Sequence, residues 1–337
     1  MLKEAKKRVC FLGGGLLLRS AIDLATDLNF EILVVTSPRH ASEKSGELTL
    51  EDFLISRNLN FICTSEINKL NFEEVNSSTL ETIFISIGAS WIFDPKTIDN
   101  IFNSRILNLH GTRLPQNRGG GGFSWQILTR NRFGFCTIHL IDSGIDTGPI
   151  VRQEEFLYPS NLVTPKQYND YYISKNKNFL QKILVDFLND EFNIQPINQN
   201  EALSTHWPRL NSEINSWIDW SWSAYELESF INAFGEPYTG ARTKLNSQDV
   251  FLHKASVNFQ DGNFHSFQSG LIYRIGPEWI CVAVPGGALI IELILDSRGQ
   301  DMLSKIRVGD RFITEYQSLQ TSKSRPIYTP QGLKREF

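Results

Sequence analysis

The first 36 residues restrict the fold more than any other stretch of the chain. Val9 to Leu12 is a short apolar run, Gly13 to Gly15 breaks it, Leu16 to Leu28 carries apolar residues at helical spacing, and Ile32 to Thr36 is a second apolar run. Strand, turn, helix and strand make a βαβ unit, and strands joined through a helix lie parallel. The signals continue as a helix at Leu50 to Arg57 and strands at Asn60 to Cys63, Thr82 to Gly88 and Ile106 to Leu109. This alternation predicts an α/β fold, a mostly parallel sheet with helices on both faces. The glycines do not complete GxGxxG, because Leu18 stands at the last position, so no dinucleotide fingerprint is present. Ligands in such sheets sit beyond the carboxyl ends of the strands, where Trp91, His110 and Asp146 are expected.

The second half changes character. Thr164-Pro165 is a helix start, and Tyr168, Tyr171, Tyr172, Phe179, Ile183 and Phe187 supply the apolar face of a helix reaching about Asn189. Asn193 to Thr205 is polar and reads as a loop. After a helix at Ala224 to Phe234 come strand signals at Ala241 to Leu245, Val250 to Ala255, Gly270 to Ile275, Trp279 to Val284 and Ala288 to Leu295, with Gly286-Gly287 as a hairpin turn. Five short strands predict a small β-barrel of the OB type. The expected division is residues 1–210, then 211–320 with its connecting helix, then a tail at 321–337. The barrel is expected to close the site or to make a dimer contact.

Composition narrows the partners. With 337 residues, 41% hydrophobic, the chain can bury a substantial core. Cys10, Cys63, Cys136 and Cys281 show no metal-type spacing, and the basic stretch Met1 to Arg8 leads into a strand rather than a signal peptide. A reduced cytoplasm is the expected setting, with no metal and no membrane span. The net charge is −4, and residues 211–337 hold 12 Lys and Arg against 14 Asp and Glu. Nucleic-acid binding calls for a basic surface, so a nucleic-acid partner is not expected.

The chemistry concentrates in residues 106–150. The period of two in Ile106 to His110 puts Asn108 and His110 on one face of a strand. Pro115 and the run Gly119 to Gly122 then end regular structure, and a strand at Cys136 to Ile141 leads into a turn bearing Asp142 and Asp146. A neutral imidazole can accept a proton from an amine, an amide can donate to a developing oxyanion, and a carboxylate can orient the imidazole. Thr112, Ser124 and Cys136 lack a GxSxG elbow or a Cys-His pattern, so direct transfer fits better than an acyl-enzyme. His139 reads as either an interior strand residue or a participant.

Asn108-Leu109-His110-Gly111-Thr112-Arg113-Leu114-Pro115, Cys136-Thr137-Ile138-His139 and Asp146-Thr147-Gly148-Pro149-Ile150 resemble the folate-dependent formyltransferase family, which includes sugar-nucleotide and methionyl-tRNA enzymes. The resemblance extends upstream through Ile87 to Pro95 and downstream from Ile218-Asp219-Trp220-Ser221 through Gly235 to Ala241. It implies a Rossmann-like formyltransferase sheet with an OB-like C-terminal domain, a catalytic set of Asn108, His110 and Asp146, and 10-formyltetrahydrofolate as the donor. It further implies that Trp91, Ile92, Phe93, Asp142 and Ile145 contact the folate. The acceptor it implies is an amine on a nucleotide-linked amino sugar, with methionyl-tRNA as the alternative and hydrolysis of the donor as a third reading. Where the family usually reads Ser-Leu-Leu-Pro, this chain has Gly111 to Pro115 and then four glycines. Arg113 or Arg118 could meet a phosphate on the acceptor or remain a solvated charge. Trp207 could stack on a base or a sugar, or anchor an interface between domains.

Overall fold

A computed structural model describes residues 6–44, 46–76, 81–329 and 332–334. Among the described residues up to 157 there are eight strands: β1 (Arg8–Gly13), β2 (Glu31–Thr36), β3 (Asn60–Cys63), β4 (Thr82–Ile87), β5 (Ile106–His110), β6 (Arg118–Gly119), β7 (Phe133–Leu140) and β8 (Ile150–Leu157). Seven form one sheet in the order β3-β2-β1-β4-β5-β7-β8. The first five are parallel. Alternation along β1 serves both faces. Val9 and Phe11 pack with the helices Leu16–Asp27 and Pro165–Leu188, whereas Cys10 and Leu12 pack with Phe84, Ile98 and Phe102 on the other face. Each fully buried large side chain contributes roughly 1.5–3 kcal/mol.

The two remaining strands differ from a purely parallel arrangement. β7 runs antiparallel to β5, and β8 antiparallel to β7. Leu140 therefore lies opposite Leu107, near the beginning of β5, so the chain leaves β7 at the end away from the shared carboxyl edge. The turn after β7 starts at the opposite end and folds back across the sheet to bring Asp146 to Asn108. β8 is an edge strand reading IVRQEEFL, largely half-buried or exposed, and its charged residues mask the alternation that identifies the inner strands.

The long helix Pro165–Leu188 begins with a capping box in which the Thr164 hydroxyl accepts from the Gln167 N–H and the Gln167 side chain accepts from the Thr164 N–H. The chain then returns through β9 (His206–Trp207), which pairs with β6. β10 (Ala241–Leu245), β11 (Gln248–Asn258), β12 (Ile272–Ile275), β13 (Ile280–Val284), β14 (Gly287–Asp296) and β15 (Phe312–Ile313) form the second sheet, in the order β12-β13-β14-β11-β10-β15. Its two ends meet: the Phe312 N–H donates to Gly270 O (2.9 Å) and the Gly309 N–H to Ile272 O (2.8 Å). The result is a barrel around Val250, Leu252, Ile280, Val282, Leu289 and Ile291. The sequence reading missed β15, which has only two residues. Ser124 Oγ donates to Ala233 O (2.9 Å) and Arg130 Nε to Ser229 Oγ (2.9 Å), tying the first sheet's unit to the helix Ala224–Ala233.

The tail docks through its early part, because Asn215 Nδ2 donates to Ser322 O (2.7 Å) and Asn211 Nδ2 to the Tyr328 hydroxyl (3.0 Å). The end of the tail, 335–337, lies outside the described residues, as does the basic start, 1–5. No helix among the described residues is long and apolar enough to cross a membrane.

Candidate active site

β5 and β7 set the site by register. Asn108 pairs directly with His139, and His110 lies two residues further along β5 on the same face. His139 is 2% exposed and His110 is 9% exposed. Asp146 reaches them from its turn with a left-handed backbone (φ 55). Gly148 allows that turn to close, since a Cβ there would come within 1.8 Å of Leu140 O. Gly119 (φ 96) serves likewise, because a Cβ would meet Trp207 O at 2.3 Å, and its N–H donates to Asp146 Oδ2 at 2.9 Å.

The hydrogen bonds fix the orientation of each group. His139 Nδ1 donates to Leu140 O (2.8 Å), so Nε2 of the neutral ring is an acceptor. Asn108 Nδ2 donates to that Nε2 (3.0 Å) and, at 3.4 Å, to Asp146 Oδ1. The longer bond is the weaker one, so that N–H is the one available to a developing oxyanion. His110 Nδ1 lies 3.6 Å from Asp146 Oδ1, and on its other side Nε2 is 2.8 Å from Asn117 O and 2.6 Å from Thr112 Oγ1. With its own hydrogen turned to Asn117 O (2.6 Å), Thr112 Oγ1 can accept from Nε2. A protonated His110 would therefore face acceptors at both nitrogens. Burial opposes charge on Asp146, but the adjacent His110 and His139 rings and the bond from the Gly119 N–H outweigh it and hold the carboxyl well below the usual range. Gln199 Nε2 donates to Asp146 O (2.9 Å) and Gly148 O (2.7 Å), fixing the turn from behind.

The other candidate residues are more dispersed. Trp91 and Phe93 are buried in the cluster with Phe84 and Phe102, while Ile92 between them is 60% exposed. Ile145 is exposed, and Asp142 builds the turn by accepting from the Gly144 N–H (3.0 Å) and the Thr147 hydroxyl. Arg113 is exposed. Arg118 is buried, and its guanidinium is occupied by Gln199 (3.1 and 2.9 Å) and Glu201 (2.9 and 2.6 Å), which leaves it supporting the turn rather than meeting an acceptor. Trp207 packs edge-on against Trp125 at 4.8 Å, and its Nε1 donates to Thr205 Oγ1 (3.1 Å). Thr112, Asn117 and Gln199 are supports that the sequence reading did not assign. Thr112 lies two residues from His110 and was open to notice, but the contact of Gln199 spans more than 50 residues and has no local pattern.

Family models match both parts of the chain. The model of the formyl transferase family matches residues 7–184, and the model of the formyl transferase C-terminal domain matches residues 212–305. The methionyl-tRNA formyltransferase of Clostridium perfringens (strain 13 / Type A) is 29% identical over 213 residues, 63% of this chain and 66% of that relative, so the chain matches just under two thirds of its length. The methionyl-tRNA formyltransferase of Bdellovibrio bacteriovorus is 26% identical across 91% of this chain and 99% of its own. Among solved structures, the N-formyltransferase from Helicobacter canadensis, in complex with folinic acid and dTDP-3-aminofucose, has a similar fold, with a TM-score of 0.63 at 19% identity over 85% of this chain and 98% of that one.

Proposed function

This chain belongs to the formyltransferase family, and from that premise we propose that it moves a formyl group from 10-formyltetrahydrofolate to the amine of a nucleotide-linked amino sugar. The expected setting is surface-glycan synthesis in the cytoplasm. The observation that carries the reaction is the convergence of Asn108 and His110, from β5, with Asp146, from the turn after β7. The loop after β4 suits a folate. Ser90 Oγ and Trp91 Nε1 are buried with no hydrogen-bond partner among the described residues, beside an exposed Ile92. Ile141, at the start of the Asp146 turn, packs on the cluster that holds Trp91. Free donors beside apolar surface suit a flat heterocycle.

The folate supplies an activated formyl group. As the acceptor nitrogen forms its bond to the formyl carbon and the bond to the folate nitrogen breaks, Asn108 turns its weaker N–H toward the charge growing on the formyl oxygen. His110 takes the proton the amine loses and passes it to the leaving nitrogen. Asp146 holds His110 in orientation and stabilises its cationic form. His139 acts through Asn108 as a positioning residue.

Two observations bear on the acceptor. The acidic balance of residues 211–337 supports a small acceptor over RNA. The curated relatives above are methionyl-tRNA enzymes, and this favours the second reading. The test is incubation of purified protein with 10-formyltetrahydrofolate and, separately, nucleotide-linked amino sugars and methionyl-tRNA. Product is detected by mass spectrometry beside Asn108→Ala. A formyl mass gain on a sugar nucleotide, absent in the variant, is the expected result. Formylation of tRNA alone, or formate release without an acceptor, overturns the choice of acceptor.

A further inference from the structure

We propose that Arg39 and Arg209, gathered around the Tyr328 ring, hold the phosphates of a nucleoside diphosphate carried by the acceptor. This rests on the sugar-nucleotide reading above. The guanidinium carbons of Arg39 and Arg209 lie 5.5 and 4.5 Å from the centre of the same ring. Two cations at one ring repel each other unless an anion completes the group. The carboxylate at hand is Glu43, and it accepts from Arg39 Nε at 2.8 Å. Arg39 Nη1 is buried with no partner among the described residues, and no hydrogen bond to the Arg209 guanidinium is found among them. A buried N–H such as Arg39 Nη1 is costly to leave unpaired, Arg209 is exposed and open to a ligand, and phosphate oxygens match a guanidinium in a bidentate way.

The platform is fixed. The Tyr328 hydroxyl accepts from Asn211 Nδ2 (3.0 Å) and donates to Leu210 O (3.4 Å). It also stands beside the reaction centre. A Cβ on Gly120 would come within 3.0 Å of Arg209 Cβ, and the adjacent Gly119 N–H is bonded to Asp146. At the end of β1, a Cβ on Gly14 would meet His40 Cβ at 2.6 Å, which puts the segment carrying Arg39 at the same rim. His40 adds no positive charge there. Burial pushes its proton affinity down to about 4, and its Nδ1 faces Ser37 Oγ at 3.2 Å. With Glu43 set against them, the two arginines leave one surplus positive charge at this rim. Arg118, the candidate named from sequence, has its Nε, Nη1 and Nη2 all donating to Gln199 and Glu201, whereas Arg39 Nη1 has no partner among the described residues. Two cations suit a diphosphate, whereas a polyanionic RNA needs a wider basic surface.

The test measures equilibrium binding of dTDP, inorganic pyrophosphate and a CCA-ended RNA hairpin to the full chain and to Arg39→Met, Arg209→Met, Arg209→Lys and Tyr328→Phe. Each Met variant should weaken dTDP binding on the order of ten-fold or more, with Arg209→Lys retaining part of it. Pyrophosphate should compete with dTDP, and folinic acid should bind all variants equally, which reports an intact fold. Unchanged dTDP affinity in both Met variants overturns the inference, as does weakened binding of the hairpin alone. If acceptor KM stays unchanged in the Met variants while sugar nucleotides are formylated, this inference fails and the sugar-nucleotide reading stands. If the arginines bind dTDP but no sugar nucleotide is formylated, the reading fails and the phosphate site stands.

Discussion

On the first sheet, Asn108 bonds His139 and Asp146, and His110 and His139 each lie within 3.6 Å of the Asp146 carboxylate, so a proton moved among them changes who donates and who accepts. In the barrel, two buried polar side chains, Thr243 and Asp296, are satisfied by fixed partners. Thr243 Oγ1 takes the Trp220 indole N–H at 2.9 Å, and Asp296 accepts the backbone N–H groups of Arg298 and Gln300, both at 2.9 Å. The difference separates chemistry from scaffolding. A cluster with alternative proton arrangements can act on a substrate, whereas a lone polar group bonded within its own turn stabilises that turn.

The largest effect on activity is expected at His110. His110→Ala should lower kcat on the order of 10²–10⁴-fold, measured as formylated product, with the thermal midpoint little changed. Ile291→Ala is the matched variant in the barrel. It should cost about 2–5 kcal/mol in denaturant unfolding because a fully buried side chain is truncated, yet leave kcat intact at temperatures where the protein stays folded. A kcat loss in Ile291→Ala comparable to that of His110→Ala would break the comparison.

Much of this contrast was legible in the sequence because its signals are local. The period of two in Ile106 to His110, the βαβ opening and the Thr164-Pro165 cap are each set by neighbouring residues, and the strands and helix they predict are present. The antiparallel turn of β7 was not legible, since nothing in Cys136 to Ile141 states which way it pairs. β8 was hidden by its edge charges. The fate of Arg118 depends on Gln199 and Glu201, about 80 residues away, and the meeting of Arg39, Arg209 and Tyr328 spans nearly the whole chain. Such contacts are fixed by tertiary folding and leave no spacing to read.

Smaller effects sharpen the comparison. His139→Leu should lower kcat about ten-fold with the donor KM unchanged, because it removes the acceptor that orients the Asn108 amide (roughly 1.4 kcal/mol). A change in KM alone would mark His139 as a packing residue. Asp146 adds a pH dependence of definite sign. Its carboxyl is held below the ordinary range in the fold, so its contribution to stability is complete above the unfolded value, near ~4, and declines as pH falls below it. Urea unfolding between pH 5 and pH 3, chosen on about that value, should show a shallower acid loss for Asp146→Asn than for the parent. An equally steep loss in Asp146→Asn would show that other carboxylates govern acid stability. The smallest change is expected for exposed Arg113. Arg113→Ala should alter stability by no more than about 0.5 kcal/mol in the same assay, and a larger loss would reveal a contact on its side chain.

The central claim is that Asn108 and His139 act as one unit, and a double-mutant cycle on kcat tests it most directly. Formyl transfer would be measured for the parent, Asn108→Ala, His139→Leu and the double variant under saturating donor and acceptor. If His139 acts only by holding the Asn108 amide, the double variant should be no slower than Asn108→Ala alone. Losses that multiply across the two sites would contradict the claim, giving His139 a role of its own in the reaction.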